Sequence, residues 1–185
     1  MILDIIEKRR AVFPVQYNNN PISEEELNTI LQAANWAPTH RRTEPWRFKV
    51  FHSDTARKGL SEFLGKMYQE ITDPISETKL QKTMDKPLQS GCVMAICMQR
   101  DPKESVPEWE EVAATAMAVQ NMWLTARSLG IGCYWSSPAL KDHIGKHIEL
   151  PEGEKCLGFF YMGKFDGELP EGVRKSTIAE KTVWV

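Results

Sequence analysis

The most apolar helical segment of the chain constrains its fold most. The spacing of residues from Val106 to Leu129 predicts one long helix, whose middle, AATAMAVQNMW, is crowded with small residues and apolar almost all round. Such a helix is buried on most sides. With 185 residues, 42% of them hydrophobic, the chain can build one substantial core around it. We expect a single domain over residues 1–185.

Shorter elements surround this helix. Ile2 to about Arg10 forms a short helix in our interpretation, and Ser23 with Glu26 makes a capping box at the start of another. The stretch WRFKVF alternates like a strand with one buried face, whereas CVMAICM and CLGFFYMG are continuous apolar runs, typical of strands covered on both faces. The order predicts an α+β domain with a mixed central sheet of four or five strands and helices on both faces.

The charge balance and the cysteines narrow the class of protein. A net charge of -2 gives no global reason to bind nucleic acid or an anionic membrane, so an anion site must be a local cluster. No apolar run approaches the roughly 20 residues of a membrane span, and no secretory cleavage site follows the N-terminus. The four cysteines form no CxxC pair, which favours buried thiols over disulfides. We therefore expect a cytoplasmic protein.

Three short basic segments are candidates for an anion site. Arg9 and Arg10 end the first helix, His40–Arg42 lie in the loop before the first strand, and Arg174 and Lys175 lie near the C-terminus. Arginine binds phosphate bidentately, and flanking prolines stiffen the loop. Two alternatives remain open: a basic helix end that complements the helix dipole, and a solvated turn.

A second candidate segment follows a predicted strand. Trp135, Ser136 and Ser137 offer a ring and two hydroxyls, which together with the arginines suit a ligand with a phosphate and a flat heteroaromatic ring. Neither GxxxxGK[ST] nor GxGxxG occurs in the sequence. His143 and His147 are spaced i,i+4, but without a third ligand a surface pair is favoured over a metal site.

The order of the motifs resembles that of the nitroreductase family of flavoproteins. RRAVFPV resembles the Arg-Arg-Ser motif of the family, and ILQAANWAPTHRRTEPWRFKV is similar to its helix, Ala-Pro turn and Gln-Pro-Trp strand. The stretch from VPEWEE to YWSS resembles its long central helix with the following LG-x-G, and GFFYMGK resembles its final core strand. The match spans nearly the whole chain and indicates the small, compact branch of the family.

The resemblance implies a nitroreductase-like homodimer that binds FMN at its interface and takes electrons from NADH or NADPH. The residues that it assigns to the cofactor are Arg9, Arg10, Ala11, His40, Trp135, Ser136, Ser137, Arg174 and Lys175.

The resemblance also implies a role for each of these residues. Arg9 and Arg10, along with Ala11, would hold the ribityl phosphate or the flavin edge. His40 would contact the flavin from the partner chain. The segment 135–137 would lie along the cofactor, and one residue of the basic pair 174–175 would complete the phosphate site.

Three residues depart from the family pattern. Ala11 stands where Ser is usual, so one hydroxyl contact is lost. Glu44 replaces the usual Gln before Pro-Trp, and its carboxylate would disfavour an anionic reduced flavin unless it pairs with a neighbouring arginine. Arg42 occupies a stretch that is often Asn or Ser. These changes bear on substrate preference more than on cofactor binding.

The implied function is an FMN-dependent NAD(P)H oxidoreductase that reduces nitroaromatics, quinones or similar small-molecule acceptors by ping-pong hydride transfer. This chemistry needs no protein nucleophile, and the sequence assigns no catalytic residue. The alternative is a non-redox flavin-binding or interaction protein, which the changes at Ala11 and Glu44 would allow. A third class is related flavin chemistry, such as dehalogenation or cofactor fragmentation, whose extra lid elements find little room in this chain.

The last residues of the chain predict contact with a second copy. TVWV alternates like a strand but has no obvious hairpin partner in the chain. We expect the tail, about residues 176–185, to extend onto the partner subunit. Small residues of the long helix, such as Ala113 and Ala116, would let another backbone come close, giving an obligate interface above about 2,000 Å².

Overall fold

The computed structural model describes residues 2–185, so Met1 of the expected domain lies outside it. The helices are α1 (Ile2–Lys8), α2 (Glu24–Ala34), α3 (Asp54–Ile71), α4 (Glu77–Gln89) and α5 (Glu108–Ser128). The strands are β1 (Trp46–Phe51), β2 (Cys92–Gln99), β3 (Ile131–Ser136) and β4 (Glu154–Lys164). Short 3-10 segments lie at Pro14–Gln16, His40–Arg42, Ala139–Lys146 and Ala179–Lys181.

The strands form one sheet in the order β1-β2-β4-β3, and every neighbouring pair is antiparallel. The α+β class is confirmed, but the expected mixed sheet is not found among the strands. Among residues 2–185, parallel pairing is limited to one bridge, between Ala11 and Cys133, where the amide of Val12 donates to the Cys133 carbonyl at 3.0 Å. The apolar runs of β2 and β4 indicate only that both faces of each strand are buried. Burial does not determine whether neighbouring strands run parallel or antiparallel.

Helices cover the sheet on both sides, as expected. One cluster of buried residues joins α2 and α5 to the sheet, and the other joins α3 and the 3-10 segment Ala139–Lys146 to the opposite face. All four cysteine thiols lie buried and unpaired, as the sequence indicates. Across residues 2–185, no helix is long and apolar enough to cross a membrane.

The long helix α5 begins and ends close to its predicted limits. Pro107 is its N-cap residue, and Gly130 follows its end with a φ of 73°, a conformation that glycine adopts without strain. One face packs into the core through residues such as Ala118 and Met122. The other face stays open: Trp109 is 69% exposed and Met117 is 40% exposed. A single chain therefore buries one face of α5, and not most of its sides as the sequence predicts.

The C-terminal segment leaves the sheet after β4. No strand is formed in the predicted TVWV segment, because no strand of the same chain lies beside it. Val183 and Trp184 are 83% and 93% exposed. The tail thus carries a row of apolar side chains that nothing in the described chain covers.

Candidate functional site

Three arginines carry neighbouring charges at the end of α1, and we call Arg9, Arg10 and Arg174 the arginine cluster. Burial lowers the pKa of the Arg9 guanidinium, and the nearby charges of Arg174 and Arg10 lower it further. Within the described residues, none of the three forms an ion pair with a carboxylate. A group of like charges without a counter-ion is suited to bind an anion.

Arg9 is held in place by an aromatic ring of α5. Its guanidinium carbon lies 4.7 Å from the centre of the half-buried Trp123 indole, a cation–π contact. Trp123 in turn packs edge-on against Phe160 of β4, with ring centres 5.5 Å apart. The Arg9 side chain donates no hydrogen bond to the rest of the described chain, so all of its donors remain free for a ligand.

Arg10 connects the C-terminal segment to the end of α1. Its Nε donates to the carbonyl of Pro170 at 3.0 Å, and its Nη1 donates to the carbonyls of Glu7 and Arg9. A side chain at Gly172 would collide with this guanidinium, since an added Cβ would lie 2.5 Å from Nη2. Arg10 therefore bonds to the end of α1, as the helix-end alternative predicts. Its Nη2 donors form no hydrogen bond among residues 2–185.

The bridge between Ala11 and Cys133 aligns the N-terminal segment with the edge strand β3. Trp135, Ser136 and Ser137 follow farther along the same strand and its end. Neither serine hydroxyl bonds to a partner among residues 2–185. Trp135 packs closely against Gly158: the φ of Gly158 is 148°, and a Cβ at this residue would lie 2.4 Å from the indole Nε1 and 2.6 Å from the Ser136 carbonyl oxygen.

A cleft that the sequence reasoning missed opens on the other side of β3, and we call it the Tyr134 cleft. Its volume is about 610 Å³. The ring of Phe13 packs against Tyr134 with centres 4.6 Å apart, and Nζ of Lys86 lies 5.7 Å from the centre of the Tyr134 ring. The lining residues are Phe13, Pro14, Val15, Lys82, Asp85, Lys86, Gln89 and Tyr134.

A sequence signal for this cleft existed. Lys82 and Lys86 are spaced i,i+4, so they share one face of α4. Neither lysine forms an ion pair in the described part of the chain. Phe13 of the cleft is four positions along the chain from Arg9, and the segment between them passes the edge strand β3 at the Ala11–Cys133 bridge, so a ligand that reached both would have to pass around this edge of the sheet.

His40 lies elsewhere in the single chain. Its Nδ1 is 2.5 Å from Oε2 of Glu110, in the first turn of α5. Glu110 and Trp123 are 13 residues apart on this helix, about 20 Å at 1.5 Å per residue. One chain therefore does not bring His40 to the arginine cluster.

Two further predicted positions can be distinguished by their surroundings. Both residues of the basic pair near the C-terminus are exposed, but only Arg174 is close enough to Arg9 for its charge to lower the Arg9 pKa. The carboxylate of Glu44 pairs with no described arginine; Arg47 instead donates to the Glu44 backbone carbonyl at 2.9 Å.

Comparison with known proteins identifies the class to which this fold and site belong. The sequence model of the nitroreductase family matches residues 6–164, so the chain belongs to that family. The Bacillus subtilis (strain 168) protein named "Putative NAD(P)H nitroreductase YfhC" is 26% identical over 183 residues, covering 98% of this chain and 92% of that protein.

Solved structures agree with this family. A nitroreductase-like family protein from Bacillus cereus superposes with a TM-score of 0.86 at 28% identity, covering 100% of this chain and 96% of the other. A nitroreductase with bound FMN from Bacteroides fragilis NCTC 9343 shares the fold, with a TM-score of 0.72 at 22% identity and coverage of 100% and 98%. The nitroreductase-like fold expected from the sequence is confirmed.

Proposed function

We propose that this chain is an FMN-dependent oxidoreductase that takes electrons from NADH or NADPH and reduces nitroaromatic, quinone or similar small-molecule acceptors. The observation that carries the proposal is the arginine cluster, whose charges have no carboxylate partner within residues 2–185. The FMN bound to the Bacteroides fragilis structure and the name of YfhC support the cofactor and the electron donor.

The donor set fits the phosphate of FMN. Arg9 has all of its donors free, Arg10 has its Nη2 free, and Arg174 lies close enough to Arg9 to affect its pKa. Arginine binds a phosphate through two parallel hydrogen bonds, and charge-assisted bonds of this kind are the strong ones. These three residues would hold the phosphate.

The Tyr134 cleft fits the flat ring of FMN. Its walls offer the aromatic faces of Phe13 and Tyr134 and the aliphatic stems of two lysines. When bound, FMN supplies the chemistry: its ring accepts a hydride from the nicotinamide and passes electrons to the acceptor. Lys82 and Lys86 would stabilise the negative charge that reduction places on the ring, because preorganised cations act most strongly where water is excluded.

We also propose that the working form is a homodimer that completes this site. The open face of α5 carries the exposed side chains of Trp109 and Met117. In an antiparallel pair of α5 helices packed through this face, the N-terminal turns of one helix, with Glu110, would lie beside the C-terminal turns of the other, with Trp123. Such a pair would bring His40 of the second copy, bound to its own Glu110, to the Trp123 and Arg9 of this chain.

The exposed tail is consistent with the same dimer. Val183 and Trp184 present apolar surface that the chain itself does not cover. An extended segment can add to a neighbouring subunit through side-chain pockets and backbone hydrogen bonds. Residues 176–185 would thereby enlarge the interface.

Anaerobic reduction tests the proposed function. The purified protein, loaded with FMN, is mixed with NADH or NADPH and then with nitrobenzene or 1,4-benzoquinone. The proposal expects the yellow flavin to bleach and the acceptor to restore the colour. A protein that binds FMN but is not bleached by either nucleotide would be the non-redox flavin-binding protein, the alternative that Ala11 and Glu44 allow.

A further inference from the structure

A short contact fixes the imidazole of His40. Its Nδ1 lies 2.5 Å from Oε2 of Glu110. An ionised carboxylate only accepts hydrogen bonds, so Nδ1 carries the proton in this contact. The Nε2 atom has no recorded partner in the described chain, and the side chain is 58% exposed. Glu110 therefore leaves Nε2 available to a group outside this chain.

The loop that carries His40 has hydrogen bonds of its own besides the contact with Glu110. Three of its residues adopt positive φ angles: Arg41 at 51°, Arg42 at 55° and Glu44 at 42°. Residues with side chains disfavour this region. Thr39 holds the loop from within, since its Oγ1 accepts from the Glu44 amide at 3.2 Å and lies 3.1 Å from Oγ1 of Thr43. The contact with Glu110 thus acts on the imidazole rather than on the loop backbone.

We propose that Glu110 is a positioning residue that orients His40 toward the flavin of the second copy. The inference rests on the proposed function, in which the antiparallel α5 pair brings His40 to the other chain's site. Glu110 itself touches no cofactor. It acts by fixing the rotation of the ring and the nitrogen that carries the proton, as carboxylates beside histidines commonly do in metal sites.

The neighbouring Glu108 provides a matched control. It lies in the same first turn of α5 and pairs with Lys155 instead of His40. Both carboxylates favour the helix N-terminus through its dipole. Removing Glu108 therefore removes the same helix-end charge while leaving the contact with His40 intact.

A double-mutant cycle on the dimer tests this role. FMN affinity is measured by flavin fluorescence for the wild type, His40→Ala, Glu110→Ala and the double variant, with the mass of each followed by light scattering. We expect each single change to weaken FMN binding roughly threefold to tenfold, the worth of one hydrogen bond. The double variant should be no weaker than the single ones, because Glu110 acts only through His40.

Two more variants complete the expectation. Glu108→Ala should bind FMN like the wild type. Glu110→Gln should keep most of the affinity, because its amide oxygen still accepts from Nδ1–H.

Several results would overturn the proposal, and they are distinguishable. Unchanged affinity in Glu110→Ala, or additive losses in the double variant, would refute the action through His40. A smaller mass for Glu110→Ala alone would assign the residue to the interface. Unchanged affinity in His40→Ala would refute the histidine contact but leave the FMN site standing, whereas a wild type that binds no FMN would refute the proposed function itself.

Discussion

The guanidinium of Arg9 lies over the indole of Trp123, with 4.7 Å between the guanidinium carbon and the ring centre. This contact joins the end of the first helix to the most central helix of the fold. It holds a cation in place without neutralising it, because an aromatic ring has no net charge to cancel. The charge of Arg9 thus remains available to an anion.

Arg9→Met should weaken FMN binding with little effect on folding. Loss of a charged hydrogen-bond partner of a phosphate costs about 1.5–3 kcal/mol, or roughly tenfold to a hundredfold in affinity. A fluorescence titration beside a thermal melt measures both effects. Lys66→Met, a change on the surface of α3, is the control and should alter neither. Equal affinity in Arg9→Met and wild type would remove Arg9 from the phosphate site.

Gly158→Ala should destabilise the protein by about 2–4 kcal/mol, since it combines backbone strain with overpacking. The φ of Gly158 is 148°, and its new Cβ would meet the Trp135 indole at 2.4 Å. Gly167→Ala is the matched control: its φ is 80°, but nothing lies within 4 Å, so only the strain remains. Urea unfolding compares the two. Equal losses would show that neither the Trp135 indole nor the Ser136 carbonyl, 2.6 Å from the new Cβ, needs the space at residue 158.

The expectations from sequence were met where local chemistry decides the structure. The capping box of Ser23 and Glu26 forms both of its hydrogen bonds, at 3.1 and 2.8 Å. The helix α5 ends at Ser128, one residue short of the predicted limit at Leu129, and Gly130 follows with a positive φ. Such signals involve residues within one turn of each other, so the sequence alone contains them.

The structural features that the sequence did not predict depend on contacts between distant parts of the chain. The direction of β2 is set by its neighbours, whereas its apolar run reports only burial. Arg174 and Lys175 are adjacent in the sequence, and only the path of the C-terminal segment places Arg174 beside Arg9. The Tyr134 cleft likewise requires α4 to pack against residues 13–15: the sequence places Lys82 and Lys86 on one face of α4 but does not say what that face meets.

Stability should fall in mild acid because of His147. Its ring stacks on Phe63 with centres 4.9 Å apart, and burial lowers its pKa below the ordinary value of 6.5. The folded state therefore disfavours protonation of His147. Its contribution to the free energy of unfolding is complete above pH 6.5 and is lost as the pH falls through the pKa of the folded state. His147→Gln should flatten this part of the profile relative to His143→Gln, in denaturant melts from pH 7 to pH 5. If the stability of His147→Gln and His143→Gln changed equally with pH, the role of His147 would be contradicted.

The tail should contribute to the dimer. We expect the full chain to have the mass of a dimer by light scattering, with an interface above about 2,000 Å². A chain ending at Lys175 should dissociate more readily and lose FMN with its partner, because Val183 and Trp184 would no longer bury apolar surface. A shortened chain that stays dimeric and yellow would refute the role of the tail alone. A full-length monomer that binds FMN would refute the whole interface.

The identity and amount of the bound flavin test the central claim most directly. Each chain carries one arginine cluster and one Tyr134 cleft, so the account predicts one flavin per chain. The protein is reconstituted with excess flavin and freed of unbound material, and the cofactor is then released with acid and separated by chromatography. Recovery of FMN at one molecule per chain is the predicted result. Recovery of FAD instead, or of no flavin after incubation with excess FMN, would contradict it.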